Sequence, residues 1–295
     1  MEFGHTPVML TEVLEALQVK SGGKYIDCTL GGAGYTLAIS EKCGPTGKVL
    51  GIDMDRAALA NAEQIIKEKG IKNIIVREGN FKNIWDIATE AWGEDVLIDG
   101  VVMDLGLSSF QLSDEKRGFS FKHESSLDMA FGPEAEADTA RIVNTYSLLE
   151  LTRIFREFGE DKRAYFLAKA IVEARKKKPI TTAAELAALV ESKVPARFRG
   201  KIHPATRIFQ ALRMETNSEL ENLRTVLPAA SQLLLSGGRL VVVSFHSGED
   251  RIVKHFFKDN ESLKILTKKP LVPTEGEEQS NPRARSAKLR AAAKI

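Results

Sequence analysis

The chain has 295 residues, 43% of them hydrophobic and 28% charged, with a net charge of +2. This is enough apolar material for one large domain or two smaller ones with their own cores, and the near balance of charge excludes a protein that holds polyanions through bulk charge alone. The two cysteines, Cys28 and Cys43, form no CxxC pair, and the five histidines show no HExxH or Cys/His spacing, which excludes a recognisable zinc motif.

No metal is therefore expected, and both thiols read as small buried side chains of a reducing compartment. Residues 1–19 have no basic start and no long apolar run, and Val13, Leu14 and Leu17 fall at helical spacing. No stretch approaches the roughly 20 apolar residues of a membrane span, so the expectation is a soluble, cytoplasmic protein. "KYIDCTL" (24–30) reads as a strand and "YTLAISEKC" (35–43) as a helix. "GKVLGID" (47–53) is a second strand, and "DRAALANAEQIIKEKG" (55–70) a helix with Asp55 as N-cap and Gly70 as its stop. "NIIVREGN" (73–80) and "IDGVVMDLG" (98–106) are two further strands. Their near-continuous apolar character predicts burial on both faces, as in a parallel sheet, and the β/α alternation predicts an α/β fold with a doubly wound, Rossmann-like sheet.

From about residue 115 to 215 the pattern is helix and loop, in "SLLELTRIFREFG", "KRAYFLAKAIVEARKKK", "TAAELAALVESKV" and "ATRIFQALRMETN". After a further helix (about 217–235), "SGGRLVVVSFHS" returns as a strand, followed by the helix "GEDRIVKHFFKDN" and two candidate strands, "LKILTKK" and "SAKLRAAAKI". The polar connection "PTEGEEQSNPRAR" (273–285) is expected to be a mobile loop. The simplest organisation is one α/β domain, residues 1–112 and 216–295, interrupted by an all-helical insertion over 113–215.

The turn after the first strand reads D-x-T-x-G-G-x-G from Asp27 to Gly34. Glycines there let the backbone approach a ligand closely. A dinucleotide and S-adenosylmethionine both suit that place, and Asp53 at the end of the second strand suits the ribose of either. Two features favour S-adenosylmethionine. Asp27 puts a negative charge beside the turn, which a pyrophosphate does not want and a methionine ammonium does. Leu37 stands where a dinucleotide turn wants Gly or Ala for helix packing. Phe81, after the third strand, is either a resting face for adenine or an ordinary core residue. Asp104 ends the fourth strand at the ligand crevice, where burying a carboxylate without a partner is costly. His246 ends the later strand on the same sheet, and reads either as a catalytic group or as a brace for its loop.

These motifs carry a resemblance. "HTPVML", "DCTLGGAGYT", "GIDMD", "MDLGLSSFQL", "RGFSF", "LDM", "IHPATRIFQALR", "NSELENL", "GGRLVVVSFHS", "EDRIVK" and "NPRARSAKLR" run in order from residue 5 to residue 290. Together they resemble the MraW family of methyltransferases, which act on N4 of a cytidine in 16S rRNA. The resemblance implies a Rossmann-like S-adenosylmethionine-dependent methyltransferase sheet carrying a helical insertion. It places cofactor contacts on Ala33, Gly34, Tyr35, Asp53, Phe81, Asp104 and Gln111. Departures from the family pattern fall at Tyr35 (often His), Ala130 (commonly Arg), Gly248 (usually Leu) and in Met214, Glu215 and Thr216.

Cytosine N4 is a poor nucleophile because its lone pair is delocalised into the ring. Asp104 or Ser108 is the expected group to orient it. The 16S rRNA substrate, presented within the small ribosomal subunit, needs a basic surface. Between Glu160 and Glu215 there are 13 Lys or Arg against 6 Asp or Glu, a local +7 that leaves the remaining chain at −5. "ARKKKP" and "ARFRGK" concentrate it, and the insertion is read as contacting the RNA backbone. Phe198, between Arg197 and Arg199, either stacks on a base or anchors its loop. Two other readings stand beside this one: a nucleotide-binding oxidoreductase, and a non-catalytic RNA-binding or ribosome-assembly factor on the same fold.

Overall fold

The computed structural model describes residues 7–108, 111, 117–120, 125–133, 135, 137–195 and 203–295. The chain divides into two compact units, Met1–Phe110 with Leu220–Ile295, and Gln111–Glu219.

The first unit follows from its apolar strands. α1 (Leu10–Leu17) precedes β1 (Lys24–Asp27), α2 (Gly34–Cys43), β2 (Lys48–Asp53), α3 (Arg56–Glu68), β3 (Ile74–Glu78), α4 (Ile84–Trp92) and β4 (Ile98–Asp104). Asp55 caps α3 by accepting the Ala57 N–H at 3.0 Å, as its position predicts. Helix α4 carries the crossover to β4 and is an element that the sequence pattern does not single out. The four strands pair in parallel, and β1 and β4 are buried along most of their length, because helices cover both faces.

The second unit supplies α5 (Thr139–Thr145), α6 (Leu148–Glu157), α7 (Ala164–Arg175), α8 (Ala183–Lys193) and α9 (Thr206–Thr216). Capping boxes at Ser147/Glu150 and Thr182/Glu185 start α6 and α8 where the sequence has S-x-x-E and T-x-x-E. Leu151, Ile154, Phe155, Leu167, Ile171, Leu186, Ile208 and Leu212 are buried along these helices.

The chain then returns to the sheet through α10 (Glu219–Leu233), β5 (Leu234–Ser244), α11 (Ser247–Asp259), β6 (Leu263–Ile265), α12 (Glu275–Ser280) and β7 (Lys288–Lys294). The finished sheet has seven strands in the order β3-β2-β1-β4-β5-β7-β6. β5 is parallel to β4, and β7 runs antiparallel between β5 and β6. One face packs α4, α10 and α11 on the strands, through Ile84, Leu223, Leu227, Val253 and Phe257 among others. The other packs α1 and α2, through Val13, Leu17 and Ile39, with Ala284 and Ala287.

The expected mobile loop over 273–285 is ordered instead. It forms α12 and a 3-10 helix, Pro282–Ser286. Thr274 caps α12 by accepting the Glu277 N–H at 3.2 Å, and Glu277 accepts the Met9 N–H at 2.5 Å. Ala284 is fully buried. The segment looks like a loop from its polar composition, but its local caps and one small apolar residue are enough to dock it.

Strand β7 buries an arginine. Arg290 Nε lies 2.6 Å from Asp250 Oδ1 on α11, with side chains only 8% and 15% exposed, and Lys288 adds a charge at 3.7 Å. Burial by itself raises the Asp250 carboxyl, but the hydrogen bond and charge of Arg290, with Lys288, hold it below its ordinary value. A depressed carboxylate contributes stability above its unfolded pKa, which is lost as pH falls through the folded one. Asp250→Ala is therefore expected to cost about 3 kcal/mol at neutral pH, by stranding Arg290. Urea unfolding should show that deficit starting to shrink below about pH 4, the unfolded value, and closing as pH falls on through the lower folded one.

Candidate functional site

The site is built at the carboxyl edge of the parallel strands. Asp27 ends β1 and is fully buried. Its Oδ2 accepts the Thr36 hydroxyl at 2.7 Å and its Oδ1 accepts the Thr29 N–H at 3.1 Å. Burial raises its pKa, and the bonds from Thr36 and Thr29 oppose that. The carboxylate thus ties the end of β1 to the first turn of α2 and holds the glycine turn between them. Thr29 also accepts the Asp104 N–H, at 2.7 Å, through its hydroxyl. Thr29 and Thr36 are the site residues that sequence reasoning did not single out. The available signal was a hydroxyl two residues after an acid, a common local turn device.

In the turn, Gly31 has φ +46° and donates its N–H to Asp53 Oδ2 at 2.7 Å. Ala33 has φ +62°, is fully buried and stands at the N-cap of α2. That conformation costs an L-residue roughly 1–2 kcal/mol, and strain of this kind collects at ligand sites. No side chain caps α2, so the first-turn N–H groups at Gly34 and Tyr35 point outward from an open helix N-terminus. Gly34 has a second reason to be glycine: a Cβ there would meet Pro7 Cγ at 2.2 Å. The Tyr35 hydroxyl donates to the Val8 carbonyl and its ring is buried, which leaves its backbone as the part that faces the turn.

Asp53 ends β2. Besides Gly31, it accepts the Asp55 N–H at 2.9 Å through Oδ1. Burial pushes its pKa up to about 6; the two backbone bonds pull against this, and the neighbouring charges of Asp55 and Asp27 add to it. Gly79 donates its N–H to the Asp53 carbonyl at 2.9 Å, so the end of β3 lies beside this acid. Phe81 follows there, opening a 3-10 helix capped by Asn80. It is half-buried and packed against the cluster that includes Ile84 and Ile87, so it is a core residue with one side open.

Asp104 ends β4. Its Oδ1 is buried and has no hydrogen-bond partner among the described residues. Burial, and then the charges of Asp27 and Glu249, push its pKa well above the carboxylate range. Ser108 faces the same turn, its Cβ 3.7 Å from where a Cβ on Gly31 would stand. Gln111 opens the second unit. Arg197, Phe198 and Arg199 lie outside the described residues.

His246 follows β5 and caps α11: its Nδ1 accepts the Gly248 and Glu249 N–H groups at 3.1 and 3.4 Å. The lone pair that a general base needs is therefore engaged, and the ring proton sits on Nε2. Nε2 is buried 3.1 Å from Glu249 Oε1 without an aligned hydrogen bond. Glu249 Oε2 in turn accepts the Phe245 N–H at 2.8 Å. Gly248 suits this cap, because a Cβ there would press to 3.1 Å on the imidazole. Among the described residues no three His, Cys, Asp or Glu side chains gather as a metal site, and no helix is long and apolar enough to cross a membrane.

An all-parallel dinucleotide sheet has no antiparallel strand inserted at this edge. The parallel strands, the glycine turn, the acids at the ends of β2 and β4, and the inserted β7 define a Rossmann-like S-adenosylmethionine-dependent methyltransferase. The chain belongs to the MraW methylase family, whose model matches residues 2–295. It is 45% identical over 313 aligned positions to the ribosomal RNA small subunit methyltransferase H of Carboxydothermus hydrogenoformans, covering 100% of this chain and 99% of that one. To the protein of the same name from Clostridium botulinum it is 41% identical, with both chains covered in full at 100%. Among solved structures, a putative rRNA-methylase from Clostridium thermocellum aligns at 16% identity with a TM-score of 0.47, covering 99% of this chain and 100% of that one.

A carboxyl must be ionised to accept both hydroxyls of a ribose, and Asp53 is the carboxyl expected to serve. Affinity for S-adenosylhomocysteine is therefore expected to be level above about pH 7 and to weaken with an inflection near pH 6, the value set by this carboxyl. Calorimetric titrations across pH 5 to 8 should show that inflection abolished in Asp53→Asn, whose affinity is lower throughout.

Proposed function

We propose that this chain transfers a methyl group from S-adenosylmethionine to the N4 amine of a cytidine in 16S rRNA, presented within the small ribosomal subunit in the cytoplasm. The observation that carries the reading is Asp104 Oδ1, a buried carboxylate oxygen without a partner among the described residues, at the rim of the glycine turn. Leaving such an atom unpaired is costly, and an amine or ammonium brought to it removes the cost. A non-catalytic assembly factor has no use for that arrangement and is not favoured.

The residues present fit the cofactor. The uncapped N-terminus of α2 at Ala33, Gly34 and Tyr35 suits the methionine carboxylate. Asp53 suits the ribose hydroxyls, and the open side of Phe81 suits the adenine ring. Gln111 is assigned to the same ligand by family resemblance. When bound, S-adenosylmethionine supplies an electrophilic methyl on a sulfonium centre. The work of the chain is to present the amine. Asp104 Oδ1 accepts a hydrogen bond from N4–H, which draws the nitrogen lone pair out of the ring and fixes its direction. Ser108, facing the same turn, is the alternative group for orienting N4. A raised carboxyl is also a competent acceptor for the proton that N4 must lose. Positioning of this kind is worth about 7–11 kcal/mol of barrier.

The helical unit is assigned to the RNA backbone. Its basic run is not all available for that purpose. Arg175 donates to the Val143 and Tyr146 carbonyls at 2.7 and 2.5 Å, and Lys178 pairs with Glu185 at 2.7 Å. Lys176 and Lys177 are exposed at the end of α7 and are the better phosphate contacts.

Radiolabelled methyl transfer to small subunits from cells lacking the enzyme, with the product nucleoside mapped, tests the reaction. N4-methylcytidine is expected. At saturating cofactor Asp104→Asn should lower kcat by about a hundredfold or more; parental rates in both Asp104→Asn and Ser108→Ala would remove their assigned role. Neutralising Lys176 and Lys177 together should weaken RNA binding and lower the slope of log affinity against log salt by about 1 for each phosphate no longer neutralised. An unchanged slope would take the RNA backbone away from this helix end.

A further inference from the structure

Helices α10 and α11 flank a cavity of about 450 Å³ that the site described above does not use. Leu227, Ile252 and Phe256 form its floor, and Arg224, Arg251 and His255 its edges. The volume lies within the range of ligand pockets. The cavity is also near the reacting edge of the sheet. α11 is capped by His246, two residues after the end of β5, whose Val243 pairs with Asp104. At 1.5 Å per residue, Arg251 stands roughly 8 Å along the helix from that cap.

The chemistry of the lining is selective. Arg251 and His255 are exposed and have no hydrogen-bond or ion-pair partner among the described residues. Arg224 is held by Glu221 at 3.4 Å, an exposed pair that a polyanion can displace. The neighbouring acid on α11, Asp250, is turned inward to Arg290. Lys254 and Lys258 extend the positive surface along the exposed side of the same helix. An apolar floor with an aromatic ring and guanidinium groups at its lip match a nucleobase carried on a phosphate backbone.

We infer that this cavity is a second RNA contact of the protein, on the sheet-bearing unit: it takes one unstacked base of single-stranded RNA against Phe256, with the adjoining phosphates on Arg224 and Arg251. The inference rests on the proposed RNA substrate. Unlike the lysines of the helical unit, which only meet the backbone, this cavity grips a base near the target cytidine.

The test uses the full chain saturated with S-adenosylhomocysteine and a short fluorescein-labelled oligocytidylate, titrated by anisotropy over a series of KCl concentrations. Phe256→Leu should weaken binding about tenfold with the salt slope unchanged. Arg251→Gln should weaken it and lower the slope by about 1. Both should keep the parental affinity for S-adenosylhomocysteine, which reports an intact fold. Parental RNA affinity in both variants, with binding still weakened by neutralising Lys176 and Lys177, overturns the cavity assignment and leaves the RNA reading standing. Disappearance of a dimer by light scattering with unchanged RNA affinity also overturns it, marking the cavity as a contact between copies. Failure of the parent both to bind RNA and to methylate small subunits removes the functional reading, and this inference with it.

Discussion

The site depends on one buried carboxylate. Among the described residues Asp27 has no ion-pair partner, and it is held by a hydroxyl and a backbone N–H from the turn it anchors. Buried acids need such bonds to be tolerated. Thr29 and Thr36 therefore do two things at once: they make Asp27 tolerable inside the sheet, and they bring the end of β1 and the first turn of α2 to a fixed separation. Thr29 extends the tie to β4 through the Asp104 N–H. The positions of Gly31, Ala33 and Asp104 all follow from this small network.

Around it, the sheet gathers more negative charge than it neutralises. Asp27, Asp53 and Asp104 end three neighbouring strands, and each has its pKa raised, by burial first and then, for Asp53 and Asp104, by other acids nearby. Strain and unfavourable electrostatics of this kind are tolerated where a ligand relieves them. A sulfonium, a methionine ammonium and a nucleobase amine are all electron-poor or cationic groups, and a pocket of raised acids is complementary to them. The contrast with Asp250 shows that this is local. That acid is also largely buried, but Arg290 holds it below its ordinary value and its role is to fix β7 to α11.

Positive charge is concentrated in other segments of the chain. The stretch from Glu160 to Glu215 carries +7 in a chain of net +2, yet several of its cations bind their own unit: Arg163 pairs with Asp161 at 2.8 Å, and Arg213 with Glu219 at 2.7 Å. Counting charge therefore overstates the surface available to RNA. The cations of α10 and α11, fewer and on the other unit, include Arg251, which like the neighbouring His255 has no internal partner among the described residues, and an apolar floor lies beside them. Specific single-strand binding draws on both elements, charge for approach and stacking for grip.

Much of this was legible in the sequence. The apolar strands, the Asp55 cap, the glycine turn and the acids after β2 and β4 are local patterns, because secondary structure and tight turns are set by neighbours along the chain. The family motifs from residue 5 to residue 290 placed the reaction class on the same residues. What only the tertiary structure decided is who partners whom. Gly34 makes room for Pro7; Tyr35 gives its hydroxyl to Val8; His246 uses its basic nitrogen as a helix cap; residues 273–285 dock through Glu277 and Ala284. In each case the contact joins segments distant in sequence or depends on a side-chain direction, and neither spacing nor composition encodes that. The unpartnered oxygen of Asp104 belongs here too: a sequence shows that an acid is present, and only the fold shows that none of the described residues satisfies it.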